Sequence, residues 1–270
     1  MRGGGVDPRA LDAQSVPSPV AKYVYENSAK HGKRVQALGG AKNHLVVMPD
    51  ADLDKTVEAI MSSAFGAAGE RCLAGSVLVP VGEAAAPLLD KLVAKAKSVR
   101  LGDGADANVD MGPLVTADHR KKVTGYIEKG VAEGAEPLCD GRAASESTGF
   151  FLGPTIFDHV TPKMTIAHEE IFGPVLSVIR VESLDQAIEL VNSSKFGNTT
   201  SIFTADGKSA REYASRVECG MVGVNIGVAA PMAFFPFSGW KSSFFGDLHA
   251  HGKDAVAFYT ESKVVMTRWF

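Results

Sequence analysis

Apolar residues recur along the chain at two spacings, one typical of buried strands and one typical of amphipathic helices. Short apolar runs predict strands over 34–38, 44–48, 76–81, 175–181, 199–203 and 221–225. Apolar residues at helical spacing predict helices over 19–31, 54–67, 84–99, 117–133, 184–191 and 210–217. Because strands alternate with helices, we expect parallel strand pairing in an α/β layered domain.

Polar side chains mark several of the predicted helix ends. Ser18 before Pro19 predicts the start of the first helix, and Gly32 predicts its end. Thr116 is placed to cap the helix over 117–133, and Ser183 with Gln186 forms the pattern of a capping box. The C-terminal part differs, since 233–246 is aromatic and loop-like and 262–269 alternates like an edge strand.

Composition and charge exclude several classes of protein. The net charge of −3, from 28 basic and 31 acidic residues, gives no electrostatic reason to expect a nucleic acid partner. The longest apolar runs are much shorter than the ~20 residues that span a bilayer. The N-terminus has no apolar signal core, so we expect a cytoplasmic protein, with the mitochondrial matrix as the alternative. Three cysteines without Cys-x-x-Cys spacing fit a reducing compartment and predict neither a disulfide nor a zinc site.

Cys72 is the candidate nucleophile because it lies between an apolar helix and a buried strand. A free thiol titrates near ~8.5, and the neighbouring Arg71 would increase its thiolate fraction. A lone cysteine is more often a small buried apolar residue, which remains the interpretation of Cys139 and Cys219. The histidines at 249 and 251 lack further ligands, so no metal site is expected.

Four motifs occur in an order and spacing that resemble the aldehyde dehydrogenase superfamily. They are ALGG at 37–40, FGAAGERC at 65–72, HEEIFGP at 168–174 and PFSGWK at 236–241. The stretches VQALGGAKNH at 35–44, GERC at 69–72 and SSFFGD at 242–247 further resemble the CoA-acylating methylmalonate semialdehyde dehydrogenases. The resemblance extends from about Pro19 to the C-terminus.

The resemblance implies a domain organisation. It divides the chain into a disordered or foreign leader (1–17), a remnant of a Rossmann-like NAD domain (18–40), a catalytic domain (41–246) and a C-terminal arm (247–270) whose strand pairs with another chain. A homo-oligomer, dimeric or tetrameric, is therefore expected. An uncovered strand edge also favours association on physical grounds.

The resemblance also assigns roles to six residues. Cys72 would attack the aldehyde carbon and pass through a thioester while a hydride leaves to NAD. Glu170 would accept hydrogen bonds from the nicotinamide ribose, Phe172 would position the nicotinamide ring, and Gly40 belongs to the hinge beside the cofactor. For the substrate, the Arg71 guanidinium could hold the carboxylate of a semialdehyde acid, and Phe237 would line the pocket.

Coenzyme A is implied by an absent general base. Ala37 stands where hydrolytic members of the family carry a glutamate that activates water, and a methyl group accepts no proton. Leu248 stands at the second acidic position of some members. Loss of a general base typically costs ~10²–10⁴ in rate, so the CoA thiol should outcompete water.

The resemblance covers only about the second half of a complete family member, and two hypotheses stay open. In the first, the gene product converts malonate or methylmalonate semialdehyde with NAD and CoA, after decarboxylation, to acetyl-CoA or propionyl-CoA, as in valine or inositol breakdown. In the second, the chain is a catalytic and oligomerisation module without dehydrogenase turnover. A thiol redox sensor built on Cys72 is a third possibility.

Overall fold

The computed structural model describes residues 12–13, 18–144 and 149–270. Its strands are β1 (Asp12–Ala13), β2 (Gln36–Leu38), β3 (Asn43–Val47), β4 (Gly75–Pro80), β5 (Glu136–Cys139), β6 (Thr155–Asp158), β7 (Val175–Val178), β8 (Phe196–Gly197), β9 (Thr199–Phe203), β10 (Met221–Val224), β11 (Trp240–Lys241) and β12 (Phe244–Phe245). Its α-helices are α1 (Ser18–Lys30), α2 (Leu53–Phe65), α3 (Ala85–Lys97), α4 (Ala117–Ala132), α5 (Thr165–His168), α6 (Leu184–Ser193), α7 (Gly207–Arg216) and α8 (Gly252–Tyr259).

Seven strands form the main sheet, in the order β10-β9-β3-β4-β7-β6-β5. Every neighbouring pair is parallel except β5 with β6, which confirms the predicted parallel α/β layer. All residues of the central strands β3 and β9 are buried, as expected where helices cover both faces of a sheet. Helices α2 and α3 pack against each other, as do α6 and α7.

The predicted caps of α4 and α6 are present, with one difference in detail. The Thr116 hydroxyl accepts a hydrogen bond from the His119 N–H, and the Ser183 hydroxyl accepts one from the Gln186 N–H. The Gln186 side chain instead accepts from Glu182 N–H, one residue before the position that a capping box predicts. The first turn of α6 is therefore tied to the preceding loop as well as to its cap.

The first helix was wrongly assigned an N-cap. Helix α1 starts at Ser18 itself, whose hydroxyl accepts a hydrogen bond from the Gly40 N–H at 3.0 Å. The Ser18 hydroxyl thus ties the start of α1 to Gly40 in the hinge. Of the predicted leader, only Asp12–Ala13 are described, and they pair in parallel with Gln36 and Ala37; the rest of 1–17 lies outside the described residues.

The sequence pattern missed or misplaced several other elements. Strands β5 and β6 and helix α8 were not predicted, and the loop-like stretch 233–246 contains β11 and β12. The segment 262–269, predicted to pair as a strand with another chain, has no strand structure in the single chain. A strand needs a partner for its backbone groups, and the described chain provides none here.

A second, smaller layer lies beside the main sheet. Strands β1, β2 and β12 form it, and helix α1 packs on β2 and β12. Its small core consists of Ala21, Val35 and Ala37, with Val24 and Phe245 packed against them. In the described part of the chain, no helix has the length and apolar character needed to cross a membrane.

Candidate active site

Cys72 lies in a tight turn between α2 and β4, as predicted. After α2, Ala67 and Ala68 adopt positive φ angles of 51° and 52°, a conformation that costs energy for residues with a side chain. The turn is closed by a hydrogen bond from the Ala74 N–H to the Arg71 carbonyl at 3.0 Å. This strained connection presents Cys72 at the edge of the sheet.

The Cys72 turn borders a cleft that also contains Arg71, Glu170 and Phe172. The cleft is lined by residues at the amino ends of strands β3, β4 and β7, namely Asn43, Gly75, Ser76 and Val175. Four of the six candidate residues therefore meet in one place. In many open α/β sheets the ligand lies at the carboxyl ends of the strands instead.

Gly40 and Glu170 fit closely together. The Ala41 N–H donates to Glu170 Oε1 at 3.0 Å. A Cβ built on Gly40 would lie 2.6 Å from Glu170 Oε2, so a side chain there would require the carboxylate to shift. Burial raises the pKa of Glu170, while the Ala41 hydrogen bond and the nearby Lys42 act in the opposite direction.

Phe172 has a positive φ of 58°, which is uncommon for an aromatic residue. Its carbonyl oxygen lies 2.5 Å from His119 Nε2, and the two rings meet edge to face with centroids 6.3 Å apart. The surrounding contacts thus hold the Phe172 backbone in a strained conformation beside Glu170.

The Arg71 guanidinium is folded onto the carboxyl end of α2. Its Nη2 donates to the Ser62 carbonyl and to the Ser63 carbonyl, the latter at 3.1 Å. Gly66 makes room for it, since a Cβ there would lie 2.6 Å from Nη2. Arg71 Nε is buried without a hydrogen-bond partner, so this side chain has one polar group left to satisfy.

Phe237 does not lie with the other candidates. It bridges to Ala250 and packs edge-on against His251 at 6.1 Å, and it is not among the residues that line the Cys72 cleft. Ala37 lies in β2 with a fully buried side chain. Among the described residues, no group of three or more His, Cys, Asp or Glu side chains could hold a metal ion.

One face of α4 contributes polar side chains that sequence reasoning missed. His119, Lys122 and Tyr126 border a cleft next to Glu169 and Glu170. The Tyr126 hydroxyl donates to Glu169 Oε2 at 2.8 Å, and burial together with this carboxylate raises the pKa of Tyr126 to about 12. The spacing of three and four residues places these side chains on one helix face, a signal that could have identified them.

Lys42 is a second residue that the sequence pattern did not identify. It is 3% exposed, and its Nζ has no hydrogen-bond partner. Burial lowers the pKa of Lys42 to about 7, although Glu170 and Glu169 favour its charged form. A buried amine without a hydrogen-bond partner thus lies near the cofactor-binding candidate Glu170.

Comparison with known proteins identifies the family. Residues 17–265 match the aldehyde dehydrogenase family. The chain belongs to this family. It is 55% identical over 252 residues to the malonate-semialdehyde dehydrogenase of Halalkalibacterium halodurans, covering 93% of this chain and 52% of that protein. The malonate-semialdehyde dehydrogenase of Pseudomonas aeruginosa is 55% identical over 256 residues, with the same two shares.

Solved aldehyde dehydrogenase structures share the fold. The methylmalonate-semialdehyde dehydrogenase of Oceanimonas doudoroffii superposes with a TM-score of 0.92 at 47% identity, over 94% of this chain and 53% of that one. The NAD⁺ complex of an aldehyde dehydrogenase from Bacillus cereus superposes with a TM-score of 0.86 at 33% identity, over 92% and 50%. The chain therefore spans about half the length of the relatives it matches.

Proposed function

We propose that this chain provides the catalytic part of a CoA-acylating malonate or methylmalonate semialdehyde dehydrogenase. The observation that carries the proposal is the convergence of Cys72, Arg71, Glu170 and Phe172 on one cleft. The high identity to proteins named malonate-semialdehyde dehydrogenase supports the choice of substrate class. We further propose that the protein works in the cytoplasm as a homo-oligomer.

Cys72 provides the nucleophile in this proposal. Its thiolate attacks the aldehyde carbon, a C–S bond forms, and the carbonyl electron pair moves to oxygen to give a thiohemiacetal. Glu170 and Phe172 would hold the nicotinamide end of NAD, which would supply the hydride acceptor for this carbon, and Cys72 would then carry the acyl group as a thioester. The substrate carboxyl group leaves as CO₂, so that the thioester is an acetyl or propionyl thioester, and the thiolate returns when the CoA thiol takes this acyl group.

The residues of the cleft fit the nicotinamide end of NAD. The Glu170 carboxylate is fixed by the Ala41 N–H and by the space that Gly40 leaves, so it can accept hydrogen bonds from ribose hydroxyls. Phe172 stands beside it with a fixed backbone. Glu170 and Phe172 would orient the cofactor, and Cys72 would form the thioester.

Arg71 and Ala37 support the substrate and co-substrate assignments. Because Arg71 Nε has no hydrogen-bond partner, this guanidinium is a candidate to bind the substrate carboxylate. On binding it would give up its hydrogen bonds to the carbonyl groups of α2. The buried methyl group of Ala37 provides no base for water at that position. Thioester transfer to the CoA thiol is therefore favoured over hydrolysis.

The test measures NADH formation by the purified chain with methylmalonate semialdehyde, with and without CoA. We expect CoA-dependent NADH formation that the Cys72→Ser variant loses. Cys219→Ser is the matched control, because the Cys219 thiol is buried and its pKa is raised to about 11 by burial. Turnover that is unaffected by Cys72→Ser contradicts the proposal.

The second candidate function is a catalytic and oligomerisation module without dehydrogenase turnover. Absence of NADH formation, together with rapid alkylation of Cys72 by iodoacetamide, would support this candidate. The same experiment thus separates the two functions.

A further inference from the structure

Two buried asparagines hold the backbone of Cys72. Asn43 Nδ2 donates to the Cys72 carbonyl at 2.9 Å and to the Ala74 carbonyl at 2.8 Å. Asn198 Nδ2 donates to the same Cys72 carbonyl at 2.9 Å. A carbonyl oxygen has two lone pairs, so two side-chain donors saturate this acceptor.

One amide comes from strand β3 and the other from the residue just before β9, the neighbour of β3 in the sheet. Asn43 is the first residue of β3, and Asn198 lies between β8 and β9. Asn43 Oδ1 also accepts from the Thr199 N–H at 3.3 Å, which ties one asparagine to the residue that follows the other. Both side chains are buried, at 3% and 7% exposure, so water does not substitute readily for their hydrogen bonds.

We propose that Asn43 and Asn198 are positioning residues that fix the peptide plane of Cys72 and keep its thiol reactive. This inference rests on the proposed role of Cys72 as nucleophile. Both ends of the segment 72–74 are pinned to the sheet, so the Cys72 side chain leaves the turn in one direction. The connection before Cys72 is strained at Ala67 and Ala68, and without these hydrogen bonds the turn could relax.

The asparagine donors also act on the charge around the thiol. A carbonyl oxygen carries partial negative charge, which disfavours a thiolate on the same residue. Hydrogen bonds from two amides counter that charge, and their loss should raise the pKa of the Cys72 thiol. A merely structural asparagine would change stability without changing the pH profile of thiol reactivity.

The experiment measures the second-order rate of Cys72 alkylation by iodoacetamide from pH 6 to pH 10, with mass spectrometry to identify the modified cysteine. In Asn198→Ala the Cys72 carbonyl keeps the Asn43 donor, so this variant carries the test if Asn43→Ala does not fold. We expect about fivefold slower alkylation at pH 7, as for loss of one hydrogen bond, and a midpoint moved to higher pH. Asn43→Ala should have the larger effect, because it removes the bonds to residues 72 and 74.

Asn192→Ala is the matched control. Its side chain also makes two hydrogen bonds to backbone, to the Arg216 carbonyl and from the Glu218 N–H, and these do not involve the Cys72 turn. We expect its alkylation profile to match the unsubstituted chain. If Asn198→Ala gives that same profile, the proposal is overturned. Because alkylation needs neither NAD nor aldehyde, this result is independent of dehydrogenase turnover.

Discussion

The backbone around Gly40 leaves no room for a side chain beside the Glu170 carboxylate. In Gly40→Ala the new Cβ would lie 2.6 Å from Glu170 Oε2 and 3.1 Å from the Phe196 ring. We expect a loss of about 1–3 kcal/mol in the free energy of unfolding, as for other overpacked sites. Denaturant unfolding of Gly40→Ala and of the unsubstituted chain measures this difference in free energy.

Gly125 is the matched control for Gly40, because a side chain at Gly125 would have room. It lies inside α4, and a Cβ there would have no atom within 4 Å apart from its own helix. Alanine should therefore stabilise the helix by up to about 1 kcal/mol. Equal shifts for Gly40→Ala and Gly125→Ala would show that local crowding at Gly40 does not decide its identity.

The buried Lys42 predicts a pH-dependent stability difference. Its pKa is about 7 in the folded chain and near ~10.4 when unfolded, so the unfolded chain binds more protons between these values. Lys42 therefore destabilises the fold below about pH 7, and the penalty disappears as the pH rises towards ~10.4. We expect Lys42→Met to be more stable than the unsubstituted chain at pH 7, with a smaller gain at pH 10.

Urea unfolding at pH 7 and pH 10 measures this change in stability. Lys91→Met is the control, because Lys91 forms an exposed ion pair with Asp54 and has no burial penalty to lose. A gain for Lys42→Met that is the same at both pH values would contradict the assignment of a buried, uncompensated amine.

Helix α1 has few buried side chains to hold it in place. Among its side chains only Ala21 and Ser28 are buried, and Tyr23 is 67% exposed. We expect its amide protons to exchange well before those of α2, a helix of equal length with seven buried residues. Hydrogen exchange followed by mass spectrometry compares the two; protection of α1 as strong as that of α2 would refute the prediction.

The elements that the sequence predicts are those with a local signal. Helices α4 and α6 carry their own N-caps, and buried runs mark β3, β4 and β9. Strand β5 has four partly exposed residues, including Pro137, and pairs antiparallel at the sheet edge, so neither periodicity nor apolar content marks it. The segment 262–269 has the alternating pattern of a strand but pairs with no strand among the described residues.

The candidate site likewise contains residues that the sequence predicts and residues that it does not. Motifs identify Cys72, Glu170 and Phe172, and the fold brings them to one cleft. Asn43 and Asn198 meet the Cys72 carbonyl from 29 and 126 residues away, and no local pattern encodes such contacts. Sequence reasoning missed Lys42 because its lowered pKa results from burial in the fold and not from the residues next to it in sequence.

At the scale of the whole molecule, the C-terminal segment leaves apolar side chains in solvent. Val264, Met266 and Trp269 are 85%, 93% and 90% exposed. Apolar surface of this kind favours association between chains. We expect the chain to sediment as an oligomer at micromolar concentration, and deletion of 262–270 to reduce its sedimentation coefficient.

The control for that deletion keeps the segment 262–270 and removes an exposed apolar side chain elsewhere in the chain. Replacing the exposed Val115, which lies before α4, by serine should leave the sedimentation coefficient unchanged. Monomeric sedimentation of the undeleted chain would contradict the prediction.

The cleft lies at the amino ends of β3, β4 and β7, and the carboxyl ends of these strands lie at the opposite edge of the sheet. The connection that leaves the carboxyl end of β4, at 81–84, lies at that far edge. Its exposed Glu83 is a suitable position for a fluorescent label. A probe placed there could follow folding or assembly of the chain while the Cys72 turn remains as it is.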